Sequence, residues 1–266
     1  TGGTKKAGKI NRDLASIAQE YGIGMGVGSQ RAAIEDKSLE ETFQVRDVAP
    51  DILLIGNLGA VQLNYGYGLK ECKKAIDMIG ADALALHINP IQEAVQPEGD
   101  TDFRGLIKKI NDVKKGLKAP VIAKQVGEGL DAATAKKLKV DAYDAGGWGG
   151  TNWNLVEGYR NESFGELGIT FAQVGIPTAE CVVELSRLGK PVIASGGIRD
   201  GLMAAKAIAM GADVAGIALP VLRAYDLGGV KAVRSYLDLF IKEFRVAMYT
   251  VGAKTPKMLK GSVEYV

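Results

Sequence analysis

Between residues 87 and 98 the chain reads HINPIQEAVQPE, so His87, Asn89, Gln92, Glu93, Gln96 and Glu98 crowd imidazole, amide and carboxylate groups into one loop. Glu93 and Glu98 are candidate ligands for a hard cation such as Mg2+, which takes one or two carboxylates and completes its shell with water and substrate phosphate. A solvated acidic loop is the other reading. His87 closes an apolar run, as a satisfied core residue or as part of the polar wall that follows it. Lys124 lies near the end of the apolar run Pro120–Val126, where a free ammonium is costly to desolvate. It asks for an anionic ligand or for an ion pair with Asp144. The glycines of Ser195–Arg199 let the backbone approach an anion closely, and with Ala218 and Leu219 they form a candidate phosphate grip. A tight turn is the alternative for Gly196 and Gly197 alone.

Composition removes several other chemistries. With one histidine there is no HExxH zinc site and no three-histidine centre, and a Ser-His-Asp triad would have to use His87. Cys72 and Cys181 lie far apart without CxxC spacing, which argues against a thiolate zinc site or a disulfide framework and fits a reducing, cytoplasmic compartment. The 33 basic and 31 acidic residues are interspersed, so no polybasic surface for nucleic acid or membrane is expected. No apolar stretch reaches the roughly 18 residues of a transmembrane helix. Thirty-five of 266 residues are glycine, nearly twice the usual share of about 7%.

These residues sit at the ends of short apolar runs: Gly22–Ser29, Ile52–Leu58, Ala83–Asn89, Pro120–Val126, Val140–Gly146, Pro191–Gly196 and Val214–Leu219. Most are apolar at successive positions, as strands buried on both faces of a parallel sheet are. Helical stripes lie between them: Ile10, Leu14 and Ile17; Ile107, Ile110, Val113 and Leu117; Val182, Leu185 and Leu188; and a long final helix over Val230–Val251. Strand-helix alternation along the whole chain predicts an α/β fold, a (β/α)8 TIM barrel over residues 1–266 as one domain. A doubly wound open sheet is the competitor, but neither GxGxxG nor a P-loop is present. The opening Thr1-Gly2-Gly3 reads as a strand-to-helix loop, so the first strand is expected upstream, in a longer natural protein.

Ordered motifs carry a resemblance over the whole chain: TGG at 1–3, MGVGSQR at 25–31, NLG at 57–59, HINPIQE and QPEGD at 87–100, AK at 123–124, GGTNW at 149–153, GIPTA at 175–179, SGGIRDG at 195–201 and GADVAGIALP at 211–220. The chain resembles the type 2 isopentenyl-diphosphate isomerases, flavoproteins of the FMN-dependent TIM-barrel group, and archaeal members in particular. SGGIR alone also occurs in other FMN barrels, whereas HxNPxQE with GSQR is far more specific.

The resemblance implies roles position by position. Thr1, Gly2, Ser29, Asn57, Lys124 and Thr151 would contact FMN, with Gly196, Gly197, Ile198, Arg199, Ala218 and Leu219 on its phosphate. Ser29, Gln30 and Arg31 would touch substrate, Arg31 facing the diphosphate. Gln92 would lie over the reacting alkene, Glu93 would bind Mg2+, and His87, Asn89 and Glu157 would complete the wall. It also implies interconversion of isopentenyl and dimethylallyl diphosphate by proton movement, reduced FMN made with NADPH, and a homotetramer or homo-octamer. The sequence departs from the family at three places: Gln125 where glutamate is common, Gly146 where a small hydroxyl residue is common, and Trp148 inside the glycine-rich turn. The family's N-terminal Arg-Lys pair and its C-terminal tail are expected outside this chain. Competing functions are an FMN-dependent 2-hydroxy acid oxidoreductase, which would need a histidine within 191–220, and a non-catalytic flavin- or phosphate-binding barrel.

Overall fold

The computed structural model describes residues 2–160 and 165–263. In chain order its main elements are α1 (Lys5–Tyr21), β1 (Met25–Gly26), α2 (Arg31–Glu35), β2 (Leu54–Gly59), α3 (Leu69–Ile79), β3 (Ala83–Ile88), α4 (Pro90–Val95), α5 (Leu106–Gly116), β4 (Val121–Gln125), α6 (Ala132–Lys137), β5 (Ala142–Asp144), α7 (Trp153–Arg160), α8 (Gly165–Phe171), α9 (Thr178–Ser186), β6 (Val192–Ala194), α10 (Gly201–Ala209), β7 (Val214–Ala215) and α11 (Leu219–Thr250). Each predicted run holds one of the seven strands, β2 running one residue past its run to Gly59. The strands follow one another in the sheet in chain order, β1 to β7. A doubly wound sheet reverses its strand order part-way, so this sequential order decides between the two architectures in favour of the (β/α)8 type. The strands are shorter than the apolar runs because the run ends have already turned away: Leu219, at the end of the last run, is the first residue of α11.

Contacts divide the chain into two compact units. The first comprises Thr1–Ile88, Asp100–Ala123 and Leu138–Asp141. Here β1, β2 and β3 pair in parallel, with Met25 opposite Leu54 and Asn57 opposite Ala85, and Ala83–Leu86 are buried at four successive positions. The core joins Ala15, Ala18, Val27, Phe43, Val45, Leu54 and Ile79. Helix α1 begins at a Thr4 cap whose hydroxyl accepts from Ala7 N (3.1 Å). Its deepest face holds Asn11, Ala15, Ile17 and Ala18, rotated from the predicted Ile10, Leu14, Ile17 stripe. Asn11 goes inside because Thr42 O accepts its Nδ2 (2.9 Å), so a polar residue is buried with a partner.

The second unit comprises Asn89–Gly99, Lys124–Lys137 and Ala142–Val266. Its ladder runs from β5 to β7, with Asp144 opposite Ile193 and Ala194 opposite Ala215. Helix α11 is broken at Gly228 and Gly229, so its second segment starts where the predicted final helix does. Helix α10 buries the small face Ala204, Ala205, Ala207, Ile208 and Ala209.

Candidate active site

In the first unit, Gln30 ties the ends of β1 and β2 together. Its N–H donates to Asn57 O (2.9 Å) and its Oε1 accepts from Asn57 N (2.9 Å). Its Nε2 donates to Ala75 O (2.8 Å) on α3. Gln30 is fully buried, its side chain held between Asn57 and Ala75. The Asn57 amide donates from Nδ2 to Val27 O (3.1 Å), which leaves Oδ1 facing His87 Nδ1 at 2.9 Å. An acceptor at that position puts the proton of a neutral imidazole on Nδ1. Nε2 then becomes the nitrogen that can take a proton.

Arg31 is held on two sides, its Nε donating to Glu35 Oε1 and its NH1 to Asp100 Oδ2, both at 2.8 Å. Hydrogen bonding to Glu35, then attraction to both acids, raises its pKa. Gln62 Nε2 donates to the same Asp100 oxygen (2.8 Å). Arg31 is therefore a cation already compensated by two carboxylates. Ser29 Oγ accepts from Arg31 N (3.5 Å). Gly2 lies against the Phe43 ring, and Thr1 lies outside the described residues.

In the second unit, a chain of hydrogen bonds links α4 to α7. Asn89 Nδ2 donates to Gln92 Oε1 (3.1 Å) and Glu93 Oε1 (2.8 Å), and Gln96 Nε2 donates to Glu93 Oε2 (2.7 Å). Gln92 Nε2 donates to Glu157 Oε1 (3.0 Å), whose Oε2 accepts from Arg160 NH1 (2.7 Å). Glu93 is 7% and Glu157 4% exposed, so two buried carboxylates are each held by two donors. The Gln92 amide is fixed at both ends. Asn89 Oδ1, also buried, has no hydrogen-bond partner among the described residues. Glu98 is exposed, 3.8 Å from Arg160. No group of three His, Cys, Asp or Glu residues able to hold a metal is found among the described residues.

Lys124 Nζ donates to Gln125 O (2.7 Å). Asp144 accepts instead from Ser195 Oγ and from Gly146 N, so it joins β5 to the end of β6 and the Lys124–Asp144 ion pair gives way. The glycine loops fit a phosphate. Thr178 Oγ1 donates to Gly196 O (2.5 Å), while Arg199 donates from NH1 to Gly197 O and from NH2 to Gly149 O, both at 2.8 Å. Because C=O and N–H of a trans peptide unit point in opposite directions, fixing these carbonyls turns the N–H of Gly197 away from Thr178 and that of Ile198 away from the Arg199 guanidinium. The Arg199 side chain is thus the loop's clamp, and the backbone presents the donors. A Cβ at Gly150 would lie 2.5 Å from Gly197 N, and one at Gly197 2.6 Å from Gly149 O. Only glycine permits this approach. Helix α11 opens at Ala218 without a side-chain cap and with Pro220 in its first turn.

The family model described as FMN-dependent dehydrogenase matches residues 103–264. An isopentenyl-diphosphate delta-isomerase of Nostoc sp. (strain PCC 7120) is 50% identical over 98% of this chain and 77% of that protein. One from Thermococcus kodakarensis is 48% identical over 98% of this chain and 73% of that protein. The chain belongs to the type 2, FMN-dependent isopentenyl-diphosphate delta-isomerase family. Mandelate oxidase solved with benzoyl-formic acid shares the fold: 18% identity, TM-score 0.62, covering 94% of this chain and 72% of that one.

The three departures from the isomerase pattern have local causes. Gly146 has φ +45°, and a Cβ there would stand 2.0 Å from Gln125 O. Gly146→Ala is therefore expected to cost about 3 kcal/mol or more of stability, read as a lower urea midpoint. Trp148 turns its Nε1 to Ala172 O (3.0 Å) and pairs its backbone with Ile176 and Thr178, so the ring leaves the glycine loop. Gln125 Nε2 donates to Glu128 Oε2 (3.3 Å). Glu128, within a Gly-Glu-Gly turn, carries no periodic or motif signal in the sequence. Its buried position emerges only in three dimensions.

Proposed function

We propose that this protein interconverts isopentenyl and dimethylallyl diphosphate by moving a proton, with reduced FMN, Mg2+ and NADPH as the reductant. The observation that carries the reading is Gln92, an amide immobilised between Asn89 and the buried Glu157 in a chain about half identical to isopentenyl-diphosphate delta-isomerases. An unactivated alkene needs a strong, well-placed acid. Reduced FMN supplies that acid/base capacity when bound.

The chain's own residues bind and orient. Gly196, Gly197 and Ile198 would hold the FMN phosphate through backbone N–H groups, with Arg199 clamping the loop and Ala218 and Leu219 adding the α11 terminus. Lys124, whose ammonium partner is a carbonyl, would face the flavin's negative charge, and Thr1, Gly2, Ser29, Asn57 and Thr151 would line the rest. Ser29 and Arg31 would receive the substrate. Since Glu35 and Asp100 compensate Arg31, the diphosphate calls for a second cation. Glu93 fits that need: one buried carboxylate, with the other positions left to water and phosphate oxygens, is a common Mg2+ arrangement. Gln92 would orient the alkene, Glu157 and Asn89 would hold Gln92, and His87, protonated on Nδ1 against Asn57, would accept a hydrogen bond at Nε2. We read residues 1–266 as one catalytic domain of a cytoplasmic homotetramer or homo-octamer. No helix of the described residues is long and apolar enough to cross a membrane.

Incubated anaerobically with FMN, NADPH, Mg2+ and isopentenyl diphosphate, the protein is expected to yield dimethylallyl diphosphate. Yellow, flavin-loaded protein that forms no product would sink the isomerase reading and leave a binding role.

A further inference from the structure

Beyond Gly26 the pairing of β1 with β2 changes partners. Met25 N donates to Leu53 O (2.9 Å) and Val27 N to Ile55 O (3.1 Å), and evenly spaced parallel bonds would next join Asn57 N to Val27 O. That bond is replaced. Asn57 N donates to Gln30 Oε1 (2.9 Å), and Val27 O accepts from the Asn57 side chain instead (3.1 Å). Gln30 N donates in turn to Asn57 O (2.9 Å), so one residue holds both backbone groups of Asn57.

A fully buried glutamine is costly unless both polar ends are satisfied. Gln30 Nε2 donates to Ala75 O (2.8 Å), which fixes the amide's orientation and leaves Oε1 for Asn57. Gly56 makes room for it, since a Cβ there would stand 3.0 Å from Gln30 Oε1. Val27 O can only accept, so the Asn57 amide must put Nδ2 there and Oδ1 against His87 Nδ1 (2.9 Å). An acceptor facing Nδ1 keeps a proton on it whether the ring is neutral or charged. We propose that Gln30 is a positioning residue for His87: by taking Asn57 N it frees Val27 O to fix the Asn57 amide, and through that amide it holds the imidazole proton on Nδ1. The inference rests on the role given to His87 above.

His87 is the only histidine, so solid-state nitrogen-15 NMR of untagged, histidine-labelled, flavin-loaded protein reads a single pair of ring nitrogens. At a pH where the ring is neutral, the parent is expected to carry its proton on Nδ1. In Gln30→Met, Asn57 N can return to Val27 O and release the Asn57 amide. Much of the ring is then expected to shift to the Nε2–H form, with kcat lowered about tenfold. A purely structural Gln30 would lower the melting temperature and leave the tautomer alone. A variant ring still protonated on Nδ1, an Nε2–H ring in the parent, or a shifted ring with kcat within twofold of the parent would each overturn the proposal. Should Gln30→Met fail to fold, Gly56→Ala takes its place, because the added methyl displaces Gln30 Oε1 while every hydrogen-bonding group remains. A smaller shift toward Nε2–H is expected there, and a ring identical to the parent's would overturn the proposal. The ring is read without substrate, so its result stands apart from the isomerase reading, which fails only if the parent forms no product.

Discussion

Gln92→Ala is expected to lower turnover about a hundredfold or more while FMN stays bound. The Gln92 side chain is held at both polar ends, Oε1 by Asn89 and Nε2 by Glu157, so its amide is already oriented. Truncation removes the amide and also releases its neighbours. Among the described residues, Asn89 Nδ2 keeps only Glu93 Oε1, and Glu157 keeps only Arg160. The proposed FMN phosphate site is built from Gly196–Arg199, which makes no hydrogen bond in this chain of contacts, so the visible flavin spectrum should persist. Gln92→Glu is expected to be as damaging, because it sets a second carboxylate against Glu157 at a position where the native group donates. Anaerobic steady-state kinetics beside the absorbance spectrum separate the two functions. Turnover within twofold of the parent would remove Gln92 from the mechanism.

The positions of the strands could be read from the sequence because burial writes itself into runs of apolar residues. The run Ala83–Asn89 contains β3, and the polar residues after it open α4, as a strand end followed by a helix requires. The α1 face was not legible in the same way. Hydrophobic period points to Ile10 and Leu14, yet Asn11 lies deeper because Thr42 O, 31 positions away, satisfies its amide. Hydrogen-bond partners across such separations leave no local pattern. For the same reason, Lys124 and Asp144 look like a pair in sequence while Asp144 is taken by Ser195, 51 residues on. Arg199 likewise donates its guanidinium to two glycine carbonyls, one of them 50 residues away. Residue type tells what chemistry is possible, and the direction of each donor decides which is done.

Glu93→Gln is the sharper test of the cation. Both Glu93 oxygens accept amide donors, Oε1 from Asn89 at 2.8 Å and Oε2 from Gln96 at 2.7 Å. Those bonds orient the carboxylate, as supporting hydrogen bonds to a metal ligand commonly do. Glutamine preserves the shape but removes the charge, and its N–H2 must face one of the two donors. The concentration of Mg2+ giving half-maximal rate is therefore expected to rise by about tenfold or more, with partial recovery of kcat at saturating metal and an unaltered flavin spectrum. Glu98→Gln is the comparison, because Glu98 is an exposed acid beside Arg160 and its loss should leave the metal requirement where it was. If instead Glu98→Gln shifted that requirement and Glu93→Gln did not, the cation would belong at the exposed acid, and the buried carboxylate would serve only to hold Asn89 and Gln96.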